Sequence, residues 1–509
     1  MRVILAVVLA AAMTPLGSLA LAAPAVAAPA CKHVASDFNG DGYSDLAIGS
    51  PERPIGDVAV AGSIQIDYGR ASGIDPSTAV YFDQDSPGMP GAPKAQNYFG
   101  QQIVSGYFNG DCYADLAVSA GGFLETDGTV TVLHGSSKGL TTDGATVLSA
   151  PDGQEDFGRA LAVGDFNHDG VDDLAVGAPD ATDAGKIRAG VVDVYDSASG
   201  TPSVLSQSTD GVAGTSENYD GFGSALAAGD FNRDGITDLA IGTPSESDGT
   251  VAFAGAIRVL NGTDSGLTGL GSLTITQASP GVPGVNENGD EFGEVLAAGD
   301  INGDGYADLV VGVPDEGVGK VQSAGGIAYL PGSAAGVTGI GSIRYSLSSQ
   351  GVPGVAERLD ELGASLAIGD FNGDGHPEIA AGSPKGQSDT DVVGLYPVVL
   401  VFPGTVTGPA GVGTVQFDAD TAGIPGAATD DLGFGKALRA ADFYGTGRPA
   451  LAIGAYAAGC AHSDTVCGAV FVLPSAAGSG LTGTGTQRLA SLPGPGSVTG
   501  DVQFGSVLG

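Results

Sequence analysis

Short apolar runs closed by glycine, and usually by proline, recur along this chain: Leu46 to Pro51, Leu174 to Pro179, Leu239 to Pro244, Leu309 to Pro314 and Ile379 to Pro384. Runs of this length between turn residues read as strands, and proline ends each because it cannot continue an interior strand. A β-branched stretch follows after glycine, as in Gly190-Val191-Val192-Asp193-Val194-Tyr195 or Gly255-Ala256-Ile257-Arg258-Val259-Leu260, and a turn then leads to a weaker fourth strand. Ahead of the runs stand Phe99-Gly100, Phe157-Gly158, Phe222-Gly223, Phe292-Gly293, Leu362-Gly363 and Phe434-Gly435, each eight residues before an acidic phrase. A constant offset means one strand of fixed register, so the predicted unit is a four-stranded antiparallel sheet.

The acidic phrase occurs seven times, starting at residues 37, 107, 165, 230, 300, 370 and 442, with spacings of 70, 58, 65, 70, 70 and 72. That period exceeds a helical solenoid's and suits four short strands with loops. Seven sheets with exposed edges are best buried by radial packing about an axis. The expected fold is therefore all-β, a seven-bladed β-propeller. The first copy lacks its Phe-Gly, while Phe504 to Gly509 form an orphan one at the other end. Strands from both termini are expected to close the ring. With 87 Gly and 28 Pro among 509 residues, the composition also excludes a helical bundle.

Within the phrase, Asp37, Asn39, Asp41 and Asp45 take positions 1, 3, 5 and 9, with Gly42 at 6 and the Tyr43 carbonyl at 7. Hard oxygen donors at that spacing, around a glycine that permits a sharp turn, are what a flexible calcium cage requires. Four further copies are complete: Asp165, Asn167, Asp169, Val171 and Asp173; Asp230, Asn232, Asp234, Ile236 and Asp238; Asp300, Asn302, Asp304, Tyr306 and Asp308; Asp370, Asn372, Asp374, His376 and Glu378. About five calcium ions are expected. Asp, Asn and Gly also make ordinary turns, but five copies with one ligand spacing argue against that simpler account. Tyr107 and Cys112 spoil the second copy, and Tyr444, Thr446 and Ala450 the seventh. An EF-hand is not expected, because a strand begins at position 10. At extracellular affinities each ion would add roughly 1 kcal/mol, so five would match a sizeable part of a domain's stability.

Residues 1–30 carry Arg2, an apolar run from Val3 to Ala12 and an Ala28-Pro29-Ala30 end, the pattern of a secretory signal. The propeller is expected over 31–509. No later segment holds the roughly 18 consecutive apolar residues of a spanning helix, so the product is expected to be secreted or surface-associated. Four cysteines in an exported chain favour two disulfides, with Cys460 joined to Cys467 and Cys31 to Cys112. Lipidation of Cys31 is a minor alternative. A net charge of -39 would repel phosphate polyanions and anionic lipid, so nucleic acid is excluded as a partner.

Phe157-Gly158, Gly177-Ala178-Pro179 and the Asp165 to Asp173 loop between them resemble the FG-GAP repeats of the integrin α-subunit head, and the likeness runs over residues 31–509. It implies a calcium-binding propeller with metal loops on one face and ligand-contacting loops on the other. Similar repeats occur in fungal lectins and beside the catalytic domain of glycosylphosphatidylinositol-cleaving phospholipases.

Candidate chemistry is sparse. His33, His134, His168, His376 and His462 include no His-x-x-x-His pair, so a zinc hydrolase is unsupported. Gly135-Ser136-Ser137-Lys138-Gly139 fits the nucleophile-elbow pattern, but the corresponding residues of other copies form a hairpin turn. Glu217 with Asp220, Glu287 with Asp290 and Glu357 with Asp360 recur ahead of Phe-Gly or Leu-Gly. Recurrence favours a hydrogen-bonding role in the loop over catalysis. The leading expectation is an adhesion or recognition module for an extracellular protein or glycan ligand. The alternatives are a hydrolase of glycans or phosphodiesters, and a lectin.

Overall fold

A computed structural model describes residues 33–121, 128–151, 154–384, 397–425, 433–456, 468–491 and 503–509. The signal segment and three of the four cysteines, Cys31, Cys460 and Cys467, lie outside them, and with these lie the expected disulfide pairings; Cys112 is not a free thiol. The chain forms seven four-stranded antiparallel sheets. Blade 4 is representative, running Ala225–Gly229, Asp238–Thr243, Ala256–Asn261 and Thr268–Ile275 from the axis outward. In register, Ile241 stands opposite Leu226 on one side and Arg258 on the other.

The second strand of every blade is buried along its whole length, as in Asp308–Val313 and Ala450–Ala455. Burial of both faces explains the continuous apolar runs: each sheet is covered on either side by a neighbouring blade. The core is accordingly divided among the interfaces between blades. Phe231 and Phe292 lie with Leu309 and Val311 between blades 4 and 5, while Ile301 and Leu362 lie with Ile379 and Leu400 between blades 5 and 6. The Phe of each Phe-Gly pair is fully buried there. Its glycine has a local reason. Gly223 has φ +93°, and a Cβ on Gly177 of the neighbouring blade would stand 2.1 Å from the Gly223 carbonyl oxygen. The backbones touch, so neither position accepts a side chain.

The ring closes as the termini implied. Val507–Leu508 is the innermost strand of blade 1, pairing with Gly49 and Ile48. Ala47 and Gly509 exchange backbone hydrogen bonds of 3.0 and 2.9 Å, and Gly505 N–H donates to the Gly49 carbonyl at 3.1 Å. All acidic loops lead into the second strand at one face, and the longer connections between the second and third strands emerge at the other.

Candidate functional site

The five complete loops repeat one hydrogen-bond scheme. In the loop of blade 5, Asp300 accepts the N–H groups of Asp304 (3.0 Å) and Gly305 (2.9 Å), and Asp304 accepts that of Tyr306 (3.0 Å). Asp37, Asp165, Asp230 and Asp370 hold their loops likewise. These are Asx-type turns that point the side-chain oxygens of positions 1, 3 and 5 toward the loop interior. Position 9 differs. Asp308 is buried, with one oxygen on Ile301 N–H and the other on Gly332 N–H, both 2.9 Å, bracing the loop against the next hairpin. Asp45, Asp173 and Asp238 do the same, and Glu378 accepts Phe371 N–H. Burial pushes these carboxyls up, Asp45 to about 8 and Asp173, Asp238 and Asp308 to about 6, with Glu378 at about 7.

Every donor in the cages is a hard oxygen, which suits calcium. In the sixth loop the Asn372 amide oxygen, at position 3, is closed off from solvent and has no hydrogen-bond partner. A cation there would supply one. The fit is therefore good on donor chemistry and on this orphan acceptor.

The two imperfect loops keep the scaffold and lose ligands. In blade 2, Asp115 still braces Phe108 and Gly135, but Tyr107 turns away: its hydroxyl donates to the Val34 carbonyl at 2.7 Å and accepts Val34 N–H at 2.9 Å, and its ring stacks on His33. The residue that replaces the ligand ties His33 and Val34 to blade 2. In blade 7, Asp442 still accepts Thr446 and Gly447 N–H.

Neighbouring loops are laced together. The N–H at position 8 donates to the position 1 carbonyl of the preceding loop, in Ala114 to Asp37, Asp172 to Tyr107, Thr237 to Asp165, Ala307 to Asp230 and Ser44 to Asp442. Blades 6 and 7 have Pro377 and Pro449 at that position and no N–H to give.

At the opposite face, Asp220, Asp290 and Asp360 accept the N–H groups of Glu217, Glu287 and Glu357 at 2.6 to 2.7 Å, the loop role expected from recurrence. Sequence reasoning missed what these carboxylates meet. Glu316 joins Glu287 and Asp290, and Glu291, Glu294 and Asp315 form a second group; within each, one oxygen from every residue lies within 4.8 Å of the others. Glu294, pushed up to about 7 by burial, feels Arg159 and Lys436 from blades 3 and 7, which puts this second group near the axis. A cleft of about 680 Å³ opens beside them, lined by Glu287, Asp290, Asp315, Lys320 and Arg358. Recurrence alone does not single these carboxylates out, since Glu316 answers to Glu246 one repeat earlier; only their meeting in space marks them. Ser136 donates to the Gly139 carbonyl at 2.7 Å, so the elbow-like sequence is a turn.

Comparison with known proteins places this geometry in its class. The FG-GAP repeat matches residues 33–66, 157–189, 222–260, 292–330 and 362–395, stretches that contain the five complete loops. The chain is an FG-GAP, integrin-like propeller protein. It is 34% identical to integrin alpha-5 of Xenopus laevis over 42% of its length, and 32% identical to integrin alpha pat-2 of Caenorhabditis briggsae over 52%. It is 34% identical to phosphatidylinositol-glycan-specific phospholipase D of Bos taurus over 35%. The aligned stretches span 20%, 21% and 21% of those relatives, about a fifth of each. Among the described residues, no helix is long and apolar enough to cross a membrane.

Proposed function

We propose that this protein is a secreted, calcium-stabilised recognition module that binds an extracellular protein or glycan through the face opposite its acidic loops. The observation that carries the reading is the repetition of one oxygen-donor arrangement in five loops of one face. Calcium would be held by the side chains at positions 1, 3, 5 and 9 with the carbonyl of position 7, and its charge would favour the ionised form of the buried carboxylates. Stiffened there, the ring presents the other face, where the cleft and its unpaired blade-to-blade differences lie, as a fixed surface for a ligand. The secretory pattern of residues 1–30 supports export.

The test is binding of the full chain to arrayed glycans and immobilised extracellular proteins, with and without EGTA, alongside incubation with polysaccharides and phosphodiesters. Calcium-dependent binding without turnover supports recognition. Product release that disappears in Asp290→Asn overturns it in favour of the hydrolase reading, which rests on the similarity to the phospholipase D relatives.

A further inference from the structure

The group formed by Glu287, Asp290 and Glu316 stands on the face away from the acidic loops, where blade 4 hands over to blade 5. Asp290 and Glu316 are 2% and 3% exposed, and Glu287 reaches into the open cleft. Arg344 pairs with one oxygen of Glu316, and the Gln277 amide N–H donates to the other. Asp290 and Glu316 are desolvated carboxylates, Arg344 pairs with Glu316 alone, and Lys320 and Arg358 line the cleft on the side of exposed Glu287. Buried charge of this kind is costly unless it is neutralised. Gln277 itself is 3% exposed, and its carbonyl oxygen, on the amide that already touches Glu316, has no hydrogen-bond donor.

We propose that Glu287, Asp290, Glu316 and the Gln277 carbonyl form a separate divalent-cation site on this face, taking a hard ion such as Mn²⁺, Mg²⁺ or Ca²⁺. A divalent ion would neutralise the desolvated carboxylates of Asp290 and Glu316. The ion also gives the orphan amide oxygen its partner, and all-oxygen donors select this class of metal. Arg344 keeps Glu316 oriented from outside the ligand set.

Blade 4 supplies an internal control. Gln207, Glu217, Asp220 and Glu246 stand 70 residues earlier, and the Gln207 carbonyl likewise lacks a donor. There the arginine comes from a different strand: Arg258, 1% exposed, gives Glu246 a 2.9 Å ion pair and the Ala213 carbonyl a 3.1 Å hydrogen bond. Among the described residues, the three carboxylates of blade 4 do not converge as those of blade 5 do. The site in blade 5 does not depend on the acidic loops holding calcium, since the two faces are read separately in one experiment.

Crystals of the full chain soaked in millimolar Mn²⁺ should show an anomalous peak bonded to Glu287, Asp290 and Glu316 in the wild type and in Glu217→Gln. In Glu287→Gln that peak should vanish while any peaks in the acidic loops stay. The Glu287 side chain is exposed and its backbone N–H makes the local hydrogen bond, so this variant keeps the fold. In solution, electron paramagnetic resonance should show one class of Mn²⁺ site weakened at least about tenfold, because ligand charge sets affinity in oxygen cages. No wild-type peak at these residues, or a peak and affinity unchanged in Glu287→Gln, overturns the proposal.

Discussion

Asp304 and Asp308 lie four residues apart in one loop, yet their surroundings give them different tasks. Asp304 is exposed and accepts the Tyr306 N–H and the Asn302 amide N–H, whereas Asp308 is buried between two backbone donors. Asp304→Asn keeps an acceptor and removes a charge that a cation needs. It should leave stability in EGTA unchanged and reduce the gain on adding calcium by roughly 1 kcal/mol. Asp308→Ala strands two buried N–H groups and should cost on the order of 3 kcal/mol already in EGTA, with the calcium gain of that loop lost besides. Urea unfolding in both conditions separates the two, and equal behaviour of the variants would refute the division. Asp193, fully buried in the third strand of blade 3, gives a pH test away from the loops. Burial raises its carboxyl to about 6, opposed only by the Gln154 amide N–H. The folded state therefore holds a proton that the unfolded chain releases from about pH 4, and this group's contribution falls as pH rises to about 6. Asp193→Asn cannot ionise, and its amide N–H would meet the unpartnered Gln154 carbonyl. It should match wild type near pH 4 and be more stable at pH 7 by up to about 3 kcal/mol; thermal melts at the two pH values measure it.

At the scale of strands and loops, the lacing between blades couples one loop to the next. The residue that opens each cage is held, through its carbonyl, by its neighbour's position 8. Ala307→Pro removes the donor to Asp230, and Pro377 and Pro449 show that the loop backbone accepts proline there. The expected loss is about 1 kcal/mol, together with weaker calcium binding in the loop of blade 4 rather than blade 5, read by calorimetry on the variant and on its pairing with Asp234→Asn. If Asp234→Asn leaves the effect of Ala307→Pro on calcium affinity unchanged, the coupling is absent. Much of this level was legible in the sequence, because the four-strand period is repeated seven times and the fixed Phe-Gly offset six times, and both are local. The Leu46 and Leu309 runs identify buried strands by themselves. What escaped was a meeting in space: Glu246 answers to Glu316 one repeat earlier, yet among the described residues the carboxylates converge at Glu316 and not at Glu246, and Arg344 reaches Glu316 from the fourth strand of blade 5. Likewise Tyr107 could be read as a lost ligand, but its hold on Val34 depends on where the ring brings the first described residues.

Across the whole molecule, stability is spread over seven interfaces with no central core, so each interface depends on both neighbours being in place. Only one blade is completed by a non-covalent return of the chain. Phe504 is fully buried with Leu46, Ile48, Phe443 and Val470, as Phe222 is buried with Leu239 and Ile241 within continuous chain. If closure is a true strand in the ring, the two phenylalanines are equivalent, and Phe504→Ala should cost about 3 to 5 kcal/mol, the same as Phe222→Ala. Deleting Phe504 to Gly509 removes in addition the backbone bonds to Ala47 and Gly49. It should lower the melting temperature of the entire domain in one cooperative step, because blades 1 and 7 then expose the faces they shared. Circular dichroism at saturating calcium measures all three proteins. A cost for Phe504→Ala far below that of Phe222→Ala, or a truncated chain that melts like wild type, would mean that the ring holds without its last strand.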